Sequence, residues 1–342
     1  AYTGLIYLYK KRRRELAAFL ALALVAVEAA VNTTVTSVTT TSREAYTRDN
    51  KEVQALMEKL EPAEDFYRVE KKTRKTKNDG AWMNFPSVSL FSSTANADLT
   101  KFFKRMGCEA STNAYSITGS TPLVDSLLSV RYALYSEYIP NTDLVNYIQE
   151  SGGTYLYENL YTLPLGFVLP YDLADNWQYQ MENPAEVQND LCLLLGTDDV
   201  LVPVETEVSG SGCTFTADMA GEYYVYIQNK KVKNVKASLP SGEKNFSNVD
   251  RGYLLEMGNL SEGSRITLTP GESGETLTAA VYRFSPRAMI QVYDRLSQSP
   301  LHLDDWRDTK LTGTVTAAES GTLFLSIPYD EGWTITIDGQ PA

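Results

Sequence analysis

Positions 16–27 read LAAFLALALVAV, an apolar run with no polar residue at helical spacing. A helix on the surface of a soluble core carries a polar stripe every three or four residues, so this run predicts a helix covered on all sides. Extended to position 38, it supplies the roughly 20 residues needed to cross a ~30 Å hydrocarbon core, with Thr33, Thr34, Thr36 and Ser37 at the interface. Five consecutive basic residues at positions 10–14 come just before it. By the positive-inside rule they mark the cytoplasmic end, which puts everything after about Thr36 outside. A secretory signal with AVEAAV as its cleavage region and a buried core helix are the two alternatives. The apolar AYTGLIYLY ahead of the basic run reads as the end of an earlier membrane segment. With no initiating Met, the chain is expected to be a piece of a longer polytopic protein.

From Arg43 the periodicity becomes that of a folded domain outside lipid. DNKEVQALMEKLEP opens with Asp49 and Asn50, places Val53, Leu56, Met57 and Leu60 on one face, and is expected to end at Pro62. DFYRVEK follows as a short strand. TANADLTKFFKRMG predicts a helix with Leu99, Phe102, Phe103 and Met106 on one side and Gly107 as its stop. Thr121 before Pro122, and Asn183 before Pro184, are N-caps followed by proline at the first helical position. The first of these helices runs into a strand around Tyr132, and the second stops at Gly196.

After Gly196 the pattern changes to short β-rich runs, GEYYVYIQN, VKNVKASL, GYLLEMGNL, SRITLTP and LTAAVYRF, separated by Gly, Asn, Ser and Pro. Such spacing predicts an antiparallel sandwich. SPRAMIQVYDRLSQSP is a connecting helix capped by Ser285, and TKLTGTVTA and GTLFLSIPYDEGWTITIDGQPA begin another β unit. Tyr329 and Trp333 are expected in the sandwich core. Asp338-Gly339 signals a type I′ hairpin whose returning strand is expected to be missing. The predicted class is α+β in four parts. These are a membrane segment with a cytoplasmic basic turn (1–38), a mixed α/β extracytoplasmic domain (39–196), a jelly-roll-like β-sandwich (197–285), and a linker helix with a partial second sandwich (286–342).

A net charge of −12 argues against nucleic-acid binding, which needs clustered cations. A single histidine, His302, excludes His-rich metal sites and argues against a Ser-His-Asp triad. Cys108, Cys192 and Cys213 match no metal-ligand spacing and read as buried thiols. No metal site is predicted.

The candidate binding residues fall in three places. Glu28 and Asn32 share a helix face, with Glu28 roughly 18 Å along the axis from Leu16 at ~1.5 Å per residue. An intramembrane carboxylate lines a substrate cavity or makes a helix-packing hydrogen bond, and both readings stand. Asn78, Asp79 and Trp82, with Phe85, form an aromatic turn suited either to acceptor or membrane contact or to anchoring a loop. Asp304, Asp305 and Trp306 offer carboxylates beside an aromatic, a sugar-binding combination, although HLDDW reads more readily as an exposed turn. Successive side chains of an extended chain point to opposite sides, so these two carboxylates cannot flank a glycosidic bond. The basic KKTRKTK at positions 71–77 is either a solvated loop or a contact for anionic lipid or polymer.

NDGAWMNFPSVSLFSSTAN, STNAYSITGSTPLVDSLLSVRYAL, LPLGFVLP followed by ENPAEVQNDL, and LFLSIPYDEGWTITIDG together resemble the extracytoplasmic region of the YfhO-type bacterial membrane proteins. The likeness runs along nearly the whole chain, and its SIPYD.GW end is the most specific piece. The resemblance implies a multi-spanning glycosyltransferase of the GT-C kind that moves a sugar from a polyprenyl-phosphate carrier to a cell-surface polymer such as lipoteichoic acid. It implies no further cofactor. The implied partners are membrane lipid, the lipid-linked sugar and a cell-wall or teichoic-acid polymer, at the bacterial cell membrane. The catalytic carboxylate of such enzymes lies on an early extracytoplasmic loop not matched here, so no catalytic residue carries over. The alternative is a membrane-tethered carbohydrate-binding or structural module.

Overall fold

The structure is a computed structural model describing residues 2–38, 43–60 and 65–341. Pro62, the expected end of the first helix of the mixed domain, lies outside them. By contact the chain forms two compact units, residues 1–51 and 52–342.

In the first unit, helices Tyr2–Lys10 and Arg14–Thr33 pack against each other. The turn between them, where Arg12 has φ 64°, carries the basic cluster. Lys11 lies over the Tyr7 ring at 4.9 Å and Arg14 over Tyr9 at 5.3 Å, so cations and amphipathic rings sit together as they do at a membrane–water boundary. The segment Arg14–Ser37 is 24 residues long and predominantly apolar, or about 36 Å of helix, which is enough to span a bilayer. Phe19 and Leu22 are 68% and 71% exposed. Only Ala17 is buried among the described residues of helix Arg14–Thr33, which removes the core-helix alternative. Beyond it Thr34–Val38 widens into a π-helical turn, where Thr34 and Thr36 turn their hydroxyls back onto the carbonyls of Ala30 and Asn32, at 2.8 and 2.6 Å.

The second unit is built in layers. Strand Arg68–Lys71 lies parallel to Val130–Tyr135, which pairs antiparallel with Thr154–Asn159, and that strand with Val145–Ser151. Helix Asn50–Met57 covers this sheet through Val53 and Leu56, packed with Val69, Leu134 and Leu156. Helices Ala97–Arg105, Pro122–Leu127, Pro184–Leu195 and Pro286–Leu296 enclose the largest core. The predicted caps hold the last three. Thr121 Oγ1 accepts from the Val124 amide, Asn183 Oδ1 from Ala185 and Ser285 Oγ from Ala288, each followed by proline, whose missing N–H costs nothing at that position.

The sandwich has a five-stranded sheet, ordered Glu207–Ser209, Gly212–Thr216, Arg265–Pro270, Asn234–Leu239, Gly242–Ser247. Its four-stranded sheet is ordered Leu255–Leu260, Gly221–Ile227, Ala279–Phe284, Leu201–Val204. Strand Gly221–Ile227 is buried on both faces. Tyr223, Val225 and Ile227 fill the space between the sheets. Tyr224 and Tyr226 turn the other way, into the helical core. There the Tyr226 hydroxyl donates to the Glu182 carbonyl at 3.1 Å, and Asn183 donates to the Tyr282 hydroxyl at 2.6 Å.

Two short hairpins and one long-range strand pair stand where the sequence suggests another β unit. Leu301–Arg307 pairs with Lys310–Val315. Gly321–Leu325 pairs antiparallel with Gly166–Pro170 in the mixed layer, which carries the following residues along the surface. Tyr329 is therefore 83% and Trp333 38% exposed, not in the sandwich core as expected. The type I′ turn forms with Asp338 at φ 51° and Gly339 at φ 79°. The returning strand expected to be missing is present, with Thr336–Ile337 pairing Gln340–Pro341. Two returning residues suffice once both turn positions adopt the left-handed conformation.

Candidate functional site

The predicted binding residues belong to separate elements, Glu28 and Asn32 to the first unit and the others to two parts of the second, and hydrogen bonds define what several of them do. Glu28 accepts from the Tyr2 hydroxyl at 2.6 Å, a bond between the two helices of the first unit. Asn32 lies on the same helix, and its carbonyl receives Thr36. Asn78 clamps strand Leu90–Phe91. Its Oδ1 accepts from the Phe91 amide at 2.7 Å and its Nδ2 donates to the Phe91 carbonyl at 3.0 Å. Asp79 is buried, accepting from the amides of Lys75 and Thr76 and from the Thr76 hydroxyl, and so it shapes the end of the basic run. Beside them Trp82 is 45% exposed while Phe85 is buried. Asp304, Asp305 and Trp306 lie in strand Leu301–Arg307, not in the turn the sequence favours. The pairing slips between Leu303 and Asp305, and Asp305 receives Arg307 at 3.2 Å.

The basic run is not a freely solvated loop, because its cations meet partners within the fold. Lys72 donates to Asp125 at 3.0 Å, Arg74 to the Thr118 hydroxyl, and Lys77 pairs with Glu109 at 3.0 Å. Arg74 at 3.7 Å and Arg251 at 3.5 Å also face Glu109. Burial by itself would raise the Glu109 carboxyl, but the Lys77 hydrogen bond and the adjacent cations outweigh it and hold the group below its ordinary range.

The main cleft lies elsewhere, with a volume of about 380 Å³. Helix Ala97–Arg105 supplies Leu99, Phe102 and Phe103 to one wall, and Phe324 to Tyr329 supply another. The helix is aimed by Asn96, whose Oδ1 accepts from the amides of Asp98 and Leu99 at 2.8 and 3.2 Å. Phe103 stacks on Tyr115 at 4.5 Å and stiffens the floor. The opposite wall is stapled by Arg68. Its Nη1 donates to the Leu128 carbonyl at 2.7 Å and to Ser326 Oγ at 3.0 Å, and its Nη2 donates to the Ser326 carbonyl at 2.7 Å. Burial lowers the Arg68 guanidinium to about 10, with Glu70 opposing the shift, so it remains charged near neutrality. Glu70 holds the Ser87 side of the cleft by accepting from Ser87, Val88 and Ser89 at 2.6–3.0 Å.

An apolar floor, an exposed tyrosine at the mouth and a few polar groups (Asn96, Asp98, Ser87) are the composition characteristic of small-molecule pockets. Asp98 is the sole carboxylate among its lining residues, so the cleft holds no carboxylate pair of the kind glycoside chemistry uses. Among the described residues no cluster of three His, Cys, Asp or Glu side chains is arranged to hold a metal ion. Cys108, Cys192 and Cys213 are buried free thiols, as their spacing suggested. No motif flags this cleft in the sequence, because its walls come from positions 68, 96–103, 115 and 324–329.

A family model described as bacterial membrane protein YfhO matches residues 1–203 and 204–342, the whole chain. No curated protein and no solved structure matches it.

Proposed function

The chain belongs to the YfhO family of bacterial membrane proteins, and from that premise we propose that residues 52–342 are the acceptor-binding part of a membrane glycosyltransferase. In this reading the enzyme takes a sugar from a polyprenyl-phosphate carrier and transfers it to a cell-surface polymer such as lipoteichoic acid. The observation that carries it is the cleft beneath Tyr329. A sugar or polyol unit lies against aromatic faces while Asp98 accepts from its hydroxyls and Asn96 Nδ2 donates to them, the usual division between apolar platform and orienting polar groups. The cleft positions the acceptor and excludes water. The step at the anomeric carbon is assigned to none of the described residues.

Tyr329→Ala tests this directly. The ring is 83% exposed, so its loss changes stability by no more than about 0.5 kcal/mol. Losing the stacking platform is expected to cut transfer at sub-saturating acceptor by roughly tenfold, measured as polymer glycosylation at matched protein levels. Transfer at the wild-type rate would remove the cleft from the reading. Polymer binding without any sugar transfer by the natural protein would favour a carbohydrate-binding module.

Positions 10–14 are proposed to be cytoplasmic, and the second unit extracytoplasmic, because a basic cluster resists translocation. In intact cells an impermeant thiol reagent is expected to label Ser241→Cys and to miss Lys11→Cys, both positions being exposed. The native thiols are buried, and burial raises Cys108, Cys192 (to about 11) and Cys213, so they give little background. The reverse labelling pattern would invert the topology.

A further inference from the structure

The structure assigns a second binding site, for a single phosphate group, to the pocket lined by Lys72, Arg74, Lys244, Glu256 and the turn at Thr118 and Gly119. The assignment is independent of glycosyl transfer. The pocket has a volume of about 130 Å³. That is below the roughly 300 Å³ at which pockets for drug-sized ligands begin, and suits one small ion or a few waters.

Three cationic side chains line it against one carboxylate, Glu256, and each cation has donor capacity left over. Lys72 Nζ donates to Asp125 at 3.0 Å and to Ser120 at 3.3 Å, two of the three protons an ammonium carries. Lys244 Nζ donates to the Glu256 carbonyl at 3.2 Å. The Nη1 of Arg74 is buried with no hydrogen-bond partner, although Nη2 donates to Thr118. Nη1 is closed off from the pocket's open space, so Arg74 contributes its charge while Lys72 and Lys244 contribute the free protons, for which a tetrahedral oxyanion supplies acceptors. Burial opposes the charge on Lys72, but Asp125 and Glu256 outweigh it and hold the ammonium well above its ordinary value, so it stays charged throughout the neutral range. Asp125 sits behind Lys72, and Glu109 is met by Lys77, Arg74 and Arg251.

The walls come from different layers. Lys72 and Arg74 follow the edge of the mixed sheet, whereas Lys244 and Glu256 lie in strands Gly242–Ser247 and Leu255–Leu260 of the two sandwich sheets. A phosphate held here therefore ties the mixed layer to the sandwich. Two sources share this chemistry, free phosphate and the phosphodiester of a polyol-phosphate polymer.

The test is equilibrium binding to the full chain in detergent, with inorganic phosphate in one arm and bis-glycerol phosphodiester in the other, at constant ionic strength. Saturable binding with a dissociation constant of about 1 mM or tighter is expected in at least one arm. The arm that binds identifies the source. Lys244→Gln, at an exposed position, is expected to weaken binding roughly tenfold without moving the melting temperature, and Arg74→Gln to weaken it at least as much. Absence of saturable binding in both arms, or affinity unchanged in Lys244→Gln, would overturn the assignment whether or not Arg74→Gln folds.

Discussion

Arg68→Ala is expected to lower the unfolding free energy by about 3–5 kcal/mol, read as a fall in the urea midpoint of the detergent-solubilised chain. The guanidinium is the common donor to the Leu128 carbonyl and to both oxygens of Ser326, and it lies over the Phe66 ring at 4.8 Å. Truncation leaves the Leu128 and Ser326 carbonyls without this donor, at about 1–3 kcal/mol for each group left unmet, while Ser326 Oγ keeps the Ser129 hydroxyl at 3.4 Å, and it removes the stem that fills the wall. Arg68→Lys is expected to recover less than half of the loss, because one ammonium cannot reproduce the planar fork across two chain segments. A loss below about 1 kcal/mol in the alanine variant would mean that water replaces the guanidinium and that the wall does not depend on it.

Lys72→Met is expected to cost a similar 3–5 kcal/mol for a different reason. The side chain fits sterically, but the Asp125 carboxylate, 5% exposed and already holding one unpartnered oxygen, loses its counter-charge. Adding Asp125→Leu should return part of the stability, since replacing both ions is cheaper than stranding one. The pH dependence has a defined sign. Burial, and then Glu256, raise the Glu222 carboxyl above its ordinary 4.5, while Tyr224 and Lys72 oppose the shift. A raised folded value means that the group's contribution is fully present below about 4.5 and is lost as pH rises through the folded value. Removing Lys72 takes away one restraint on that rise, so the deficit of Lys72→Met should grow from pH 4 towards neutrality in parallel unfolding series. An equal deficit at both ends, or a double variant weaker than the single, would contradict this account.

The parts legible in the sequence were those whose causes are local. Thr121, Asn183 and Ser285 each precede a proline, and cap and proline are satisfied within one turn. The unbroken apolar run at positions 16–27, within the helix Arg14–Ser37, needs no partner to be recognised. The sandwich strands announced themselves by turn spacing, but the second buried face of Gly221–Ile227 did not. Tyr224 and Tyr226 are buried because helices from the mixed layer cover them, and periodicity cannot see that cover. Charge was misleading for the same reason. Lys72, Arg74 and Lys77 look solvated until Asp125, Thr118 and Glu109 arrive from distant positions. Asn78 and Asp79 attracted notice as a turn, and their side chains spend their hydrogen bonds shaping it. Exposed Tyr329 could be suspected only after its strand was known to leave the sandwich.

The pairing of Gly321–Leu325 with Gly166–Pro170 sets an order of events in time. The partners are separated by more than 140 residues of intervening chain, so closing them costs loop entropy that only the finished contacts offset. As the polypeptide is synthesised, helix Ala97–Arg105 and strand Arg68–Lys71 emerge long before the segment that completes the cleft. Until position 329 emerges, Phe167 faces an empty place where Phe324 will come to rest at 5.1 Å between ring centres, and Arg68 lacks two of its three acceptors. The cleft is thus among the last features to mature. A chain stalled or clipped before position 321 would keep its apolar N-terminal helix and much of its sandwich, yet lack the wall that completes the cleft.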